Sequence, residues 1–158
     1  MKLKYALFAG TLFATVIIDQ LLKSSIRSMM ALHDSITVIP GFFNITYGTN
    51  PGAAFGFLAK APPAFRTLFL ILVSIVAIVL ILYFIVKNKA TDNLLTLSLS
   101  LIMGGAIGNL VDRVRAGEVT DFLDFSLASY HWPAFNMADS FISIGAVILI
   151  YEIFKRRG

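Results

Sequence analysis

The chain has 158 residues, of which 58% are hydrophobic and 14% are charged, whereas soluble domains are about half apolar and about a quarter charged. This composition argues against a water-soluble globule. The sequence has no cysteine and only two histidines, which excludes disulfides and thiolate metal ligands and leaves little basis for a multi-histidine metal site. The net charge of +4 is not gathered into one basic stripe, so nucleic acid is not an expected partner.

Four segments are long and apolar enough to cross a bilayer as helices, which requires roughly 20 apolar residues. They span about residues 5–22, 65–86, 94–111 and 138–154. The connecting segments at about 24–64 and 113–135 then lie on the same side of the membrane. We predict an all-α membrane protein in which residues 1–158 form a single integral membrane domain.

The distribution of Lys and Arg predicts the orientation, because positive residues in short loops are retained on the cytoplasmic side. The side that carries both termini has seven Lys and Arg in three short segments, and the opposite side has six in two longer segments. This difference in density predicts that both termini are cytoplasmic. Most of the acidic residues then lie at or beyond the outer membrane face: Asp19, Asp34, Asp112, Glu118, Asp121, Asp124 and Asp139. We therefore expect the chemistry at the extracytoplasmic face.

The segment at about 24–64 contains an alternating apolar pattern. Residues 36–39 and 42–47 carry the alternation, and Pro40-Gly41 interrupts it. Such a pattern around a Pro-Gly turn predicts a small extracytoplasmic antiparallel β-sheet between helices 1 and 2.

Two groups of polar residues lie at the ends of predicted helices, where ionisable side chains are costly and require a specific reason. Asp19 and Lys23 are four apart with the acid first, which favours an ion pair that steadies a helix end. Asn109 and Asp112 share one face of the third helix, with Arg113 beside them. This second group is consistent either with a terminal Asp112–Arg113 ion pair or with direct support of a functional site. Nearby, Gly104 and Gly108 have the spacing that lets another helix approach closely.

Asp121 and Asp139 form the most specific candidate site. Asp121 lies between apolar neighbours beside the membrane, an environment that disfavours its ionised form. Asp139 follows Asn136 by three residues in the pattern of a capping box, and it lies eighteen positions after Asp121, so the loop between them could bring the two carboxyl groups together. Two carboxylates in one dry site share a proton, so one can activate a water while the other acts as an acid. Asp124, three residues beyond Asp121, is expected in a solvated loop.

Several motifs together are similar to one family. In chain order these are Asp19-Gln20-Leu21-Leu22-Lys23, Asn50-Pro51-Gly52-Ala53-Ala54-Phe55-Gly56, Gly108-Asn109-Leu110-Val111-Asp112-Arg113, Val119-Thr120-Asp121-Phe122 and Phe135-Asn136-Met137-Ala138-Asp139-Ser140. In order, spacing and four-helix layout, the chain resembles lipoprotein signal peptidase, also called signal peptidase II, over essentially its whole length.

The resemblance implies a bacterial aspartic intramembrane protease that cuts diacylglyceryl-modified prolipoproteins just before the lipidated cysteine. It implies that Asp121 and Asp139 are the catalytic pair. Supporting or substrate-binding roles are implied for Asn50, Gly52, Asn109, Asp112, Arg113, Asn136, Asp19 and Lys23. No metal or other cofactor is implied, and the expected partners are lipidated prolipoproteins and membrane lipids.

Two alternatives come from other classes of protein. A small proton-coupled membrane transporter would use carboxylates at several depths of the bilayer, whereas these are clustered on one side. A non-catalytic membrane assembly factor would leave both Asp121 and Asp139 replaceable.

The expected location is the bacterial inner membrane, with the chain acting as a monomer.

Overall fold

The computed structural model describes residues 2–52, 58, 61–87, 92–127 and 130–156. The elements in chain order are α1 (Lys2–Met29), β1 (Ser35–Ile39), β2 (Phe43–Asn50), α2 (Pro63–Lys87), α3 (Asn93–Ala116), β3 (Val119–Leu127), β4 (Tyr130–His131) and α4 (Met137–Lys155). Part of the sequence motif that begins at Asn50, residues 53–56, lies outside these ranges.

Four helices of the described chain are long and apolar enough to cross a membrane, as the sequence predicts. Their shortest, α4, has 19 residues, which is about the length needed to span the hydrocarbon core. Large apolar side chains such as Leu72, Val76 and Val147 are exposed on the helices. In water these surfaces would be unfavourable, whereas acyl chains solvate them.

Helix α3 is the centre of the bundle and packs against each of the other three helices. On one side, Ile81 and Ile85 of α2 pack with Leu99 and Met103 of α3 in a buried apolar cluster. Towards α1, a Cβ added to Gly104 would lie 2.7 Å from the Thr15 side chain. Close approach through small residues is a common way to pack membrane helices, and the predicted role of this spacing is confirmed.

Helix α1 is longer than its apolar segment predicts, because it continues from residue 22 to Met29. Its last two turns contain polar residues that still satisfy their hydrogen bonds. Ser25 Oγ donates to the Leu21 carbonyl at 3.0 Å, and Arg27 reaches Thr120 Oγ1 at 3.0 Å. The end of the apolar segment indicates where the helix leaves the bilayer. The helix itself can continue beyond that point.

The predicted β-hairpin is present, with β1 and β2 paired in antiparallel fashion and Gly41 at a positive φ of 71° in the turn. The sheet is larger than predicted, because β3 adds to β2 and the two-residue β4 pairs with the end of β3. The sequence predicts a loop after α3. Instead, stacked rings hold it in the sheet, with Phe125 centred 4.7 Å from Phe43 and 5.8 Å from Phe135.

Candidate active site

Asp121 lies in β3, where it pairs across the sheet with Gly48. Only 4% of its surface is exposed. Asn136 Nδ2 donates a hydrogen bond to Asp121 Oδ1 at 2.6 Å, and the Asn50 side chain also hydrogen bonds to this carboxyl group. Burial, followed by the nearby charge of Asp139, raises the pKa of Asp121 from 3.8 to about 7. The two amide hydrogen bonds oppose this shift but do not cancel it. Asp121 can therefore carry a proton near neutral pH.

Asp139 lies in the first turn of α4, where it takes part in a capping box with Asn136. Asn136 Oδ1 accepts from the Asp139 backbone N–H at 3.0 Å, and Asp139 Oδ2 accepts from the Asn136 backbone N–H at 3.3 Å. The other carboxylate oxygen, Oδ1, accepts from Asn109 Nδ2 at 2.8 Å. The capping box predicted from the sequence is confirmed, and it also fixes the Asp139 side chain in place.

Asn136 connects the two carboxyl groups. Because its Oδ1 accepts from the Asp139 backbone, its Nδ2 is the atom that faces Asp121. One amide thus orients side chains from β3 and α4 at the same time. Asn136 itself is completely buried, so this arrangement is well shielded from competing water.

Both aspartates line a cavity of about 880 Å³, a size typical of sites that hold small molecules or chain segments. Its polar lining includes Asn50, Asn109 and Arg113. Its apolar wall is formed by Val119, Trp132, Pro133, Ala134, Phe135, Ile142 and Ile144. The cavity therefore combines two carboxyl groups with a largely apolar wall.

Arg113 is placed differently from the terminal ion pair that the sequence allowed. Its Nη2 donates to the Gly52 carbonyl at 3.0 Å, while Asp112 pairs with Lys23 at 3.0 Å and with Arg27 at 3.5 Å. Gly52 is in turn held by Asn50 Oδ1, which accepts from the Gly52 N–H at 3.0 Å. Arg113 thus fixes the chain beside the cavity, and its charge also acts on Asp139 and Asp121.

The predicted Asp19–Lys23 ion pair is present at 2.9 Å, and both side chains are fully buried. Lys23 Nζ also donates to Asn109 Oδ1 at 2.9 Å. Asp19 Oδ1 accepts from the Ala138 backbone N–H at 2.9 Å, which ties α1 to the start of α4. The pair therefore contacts residues beside the cavity and is more than the helix-end contact that its spacing predicts.

Asp124 lies in β3, where its Oδ2 accepts from Asn44 Nδ2 at 3.0 Å, so the expectation of a solvated loop is wrong.

Gln20 contacts the same cluster, although the sequence alone assigns it no role. Its Nε2 lies within hydrogen-bonding distance of Asp19 Oδ2, the Gly108 carbonyl and Asp112 Oδ1, at 3.1, 3.1 and 3.3 Å. The available signal was a polar amide at membrane depth next to a predicted ion pair.

Arg27 and Thr120 were also overlooked. Arg27 bridges Asp112 and the Thr120 hydroxyl, and the Thr120 backbone N–H donates to Asp112 Oδ2 at 3.3 Å. These contacts join α1, α3 and β3 beside the cavity.

Among the described residues, no group of three or more His, Cys, Asp or Glu side chains could hold a metal ion.

Comparisons with known proteins agree on one family. A family model described as signal peptidase (SPase) II matches residues 11–155. A lipoprotein signal peptidase of Syntrophus aciditrophicus (strain SB) is 49% identical over 157 residues, covering 99% of this chain and 98% of the relative. The lipoprotein signal peptidase of Geobacter sulfurreducens is 45% identical, covering 98% of this chain and 96% of the relative.

Solved structures agree with the sequence relatives. A bacterial membrane enzyme determined by the in meso method at 2.3 Å resolution superposes with a TM-score of 0.86 at 35% identity, covering 96% of this chain and 89% of that chain. A second such structure, at 1.9 Å resolution, gives a TM-score of 0.83 at 36% identity, covering 94% and 92%.

Proposed function

We propose that this chain, which belongs to the signal peptidase II family of membrane proteases, removes signal peptides from diacylglyceryl-modified prolipoproteins. The cut would fall immediately before the lipidated cysteine. The curated relatives carry the name lipoprotein signal peptidase. Membership of this family argues against the two alternatives, a transporter and an assembly factor.

The observation that best supports the chemistry is the pair of carboxyl groups on one cavity. Asp121 and Asp139 come from different elements, and buried amides hold both of them. A pair of this kind supplies both partners of an acid–base hydrolysis. One carboxylate accepts a proton from water as the water oxygen attacks the peptide carbonyl. The other, protonated, donates to the carbonyl oxygen, and a proton then passes to the leaving amine as the C–N bond breaks.

The walls of the cavity support an apolar substrate. Ile142 and Ile144 of α4 and Phe135 line the space next to the aspartates. A signal helix and acyl chains lose little solvation when they move from lipid into such a site, because both environments are apolar. The chain held by Arg113 at Gly52 and the adjacent sheet would cover the substrate from outside the membrane.

We further infer that both termini are cytoplasmic and that the aspartate pair lies at the extracytoplasmic face of the bacterial inner membrane. The density of Lys and Arg supports this orientation. We expect a monomer to be sufficient, since one chain contributes Asp121, Asp139 and the amides that hold them. Membrane lipids are the expected surroundings of the exposed apolar helix faces.

The direct test of this function is cleavage of a purified lipidated prolipoprotein by the purified chain in detergent. We expect a product whose first residue is the diacylglyceryl-modified cysteine, identified by mass spectrometry. The same precursor without its lipid is the matched control and should be cut far more slowly. No cleavage of the lipidated precursor by folded protein would refute the proposal.

A further inference from the structure

Lys23 is a buried cation that contacts the aspartate pair only through another side chain. Its ammonium group has no exposed surface and lies 2.9 Å from Asp19 Oδ2, 3.0 Å from Asp112 Oδ2 and 2.9 Å from Asn109 Oδ1. An ammonium group can only donate hydrogen bonds. The atom of Asn109 that faces Lys23 must therefore be the oxygen, which leaves the amide nitrogen facing Asp139.

The hydrogen bonds to Asp139 suit an ionised carboxylate. Its Oδ1 accepts from Asn109 Nδ2, and its Oδ2 accepts from the Asn136 backbone N–H. An ionised carboxylate only accepts, so donors at both oxygens stabilise that form. The position of Asp139 in the first turn of α4 adds the favourable end of the helix dipole.

We propose that Lys23 is a positioning residue that fixes the Asn109 amide, so that Asp139 is held ionised as the base and Asp121 carries the proton as the acid. This inference rests on the proposed function. The surroundings of Asp121 agree with it, because Asp121 is almost fully buried and its pKa is raised to about 7. Asp121 also lies next to the negative charge of Asp139, which disfavours a second ionised carboxylate.

With these roles, every proton of the hydrolysis can be followed. A water proton moves to Asp139 while the water oxygen bonds to the peptide carbon, and the Asp121 proton moves to the carbonyl oxygen. In the second step the C–N bond breaks, and the proton held by Asp139 passes to the leaving amine. In that same step the Asp121 carboxylate takes back a proton from one hydroxyl group of the collapsing tetrahedral intermediate, which leaves a carboxylic acid product, so both residues end as they began.

Charged groups from three elements surround Asp139. Asp121 from β3 and Arg113 from α3 interact with it directly, and behind them Lys23 of α1 pairs with Asp19 of α1 and Asp112 of α3. Lys23 is linked to the Asp139 carboxylate through the Asn109 amide. Without Lys23 the Asn109 amide is no longer held in this orientation, so the base loses a fixed donor, and the acidic limb of the pH–rate profile should move to higher pH.

The test uses Lys23→Met combined with Asp19→Asn, which removes both charges of the buried ion pair and leaves Asp112 paired with Arg27. We expect the acidic limb of kcat/KM to move up by about one pH unit, with roughly a tenfold loss of rate below it. Asn109→Leu should cause a similar shift. Combining all three changes should be scarcely worse than Asn109→Leu, because residues that act through one another are not additive.

The matched control is Arg156→Met, which removes a cation that pairs with Asp92 at 3.1 Å and Glu152 at 3.0 Å, far along the chain from the site. It should leave the profile unchanged. A loss of activity with an unshifted limb, or additive effects of the Lys23 and Asn109 changes, would overturn the positioning role. If the Lys23 variant does not fold, an unshifted limb in Asn109→Leu overturns it as well. Failure of the wild type to cleave would instead refute the proposed function.

Discussion

Replacement of Asp121 by Asn should stabilise the fold at neutral pH, because it removes a carboxyl group that is costly to ionise where it lies. Its pKa rises from 3.8 to about 7 on folding. A group with a raised pKa loses its contribution to stability as the pH rises between these two values. At about 1.4 kcal/mol per pKa unit, this difference corresponds to about 4 kcal/mol by pH 7. Asn keeps an oxygen that can accept the hydrogen bond from Asn136.

The assay is thermal unfolding of the wild type and Asp121→Asn in the same detergent from pH 4 to pH 9. The stability advantage of the variant should be small at pH 4, grow up to about pH 7 and then level off. Asp124→Asn, which removes a carboxylate from the same strand, is the matched control and should not reproduce this curve. An advantage that is independent of pH, or a variant less stable than the wild type at pH 8, would refute the assignment of Asp121 as a buried acid.

Three further predictions concern packing, positioning and orientation. Gly108→Ala should destabilise the fold by roughly 1–3 kcal/mol, since its Cβ would lie 2.5 Å from Asp19 Oδ2. Gly10→Ala, which meets nothing within 4 Å, should be neutral or stabilising in the same unfolding assay. Arg113→Lys should lose roughly tenfold in kcat/KM, because lysine lacks the planar fork that holds the Gly52 carbonyl; unchanged turnover would make Arg113 an ordinary interfacial residue. Reporter fusions at Gly158 should be cytoplasmic and those at Asp34 external, and the reverse result would invert the site.

The four helices and the first hairpin could be predicted because their signals are local. Apolar runs of membrane length and period-two alternation around Pro40-Gly41 are visible within a short window of sequence. Strand β3 could not be predicted in the same way. Its partner β2 lies more than 60 residues earlier in the chain, and acidic residues interrupt its apolar residues. Only the assembled sheet shows that Asp121 and Asp124 lie in a strand.

Some contacts of the candidate site could likewise be predicted from local spacing, and others could not. The capping box of Asn136 and Asp139 and the spacing of Asp19 and Lys23 can be seen within four residues. The contacts of Lys23 with Asn109 and Asp112 join different helices, and sequence separation hides them. A buried cation shared by two carboxylates is therefore a product of helix packing that no local pattern indicates.

Cleavage of purified lipidated prolipoprotein by the Asp121→Asn, Asp139→Asn and Asp124→Asn variants, at matched folded concentration, tests the central claim most directly. Asn preserves shape and polarity but removes a carboxyl group that the proton cycle requires. Asp121→Asn and Asp139→Asn should each lose almost all cleavage, and the double variant should be scarcely worse. Asp124→Asn should keep substantial activity. Robust cleavage by Asp121→Asn or Asp139→Asn, or loss of cleavage in Asp124→Asn alone, would contradict the assignment of the catalytic pair.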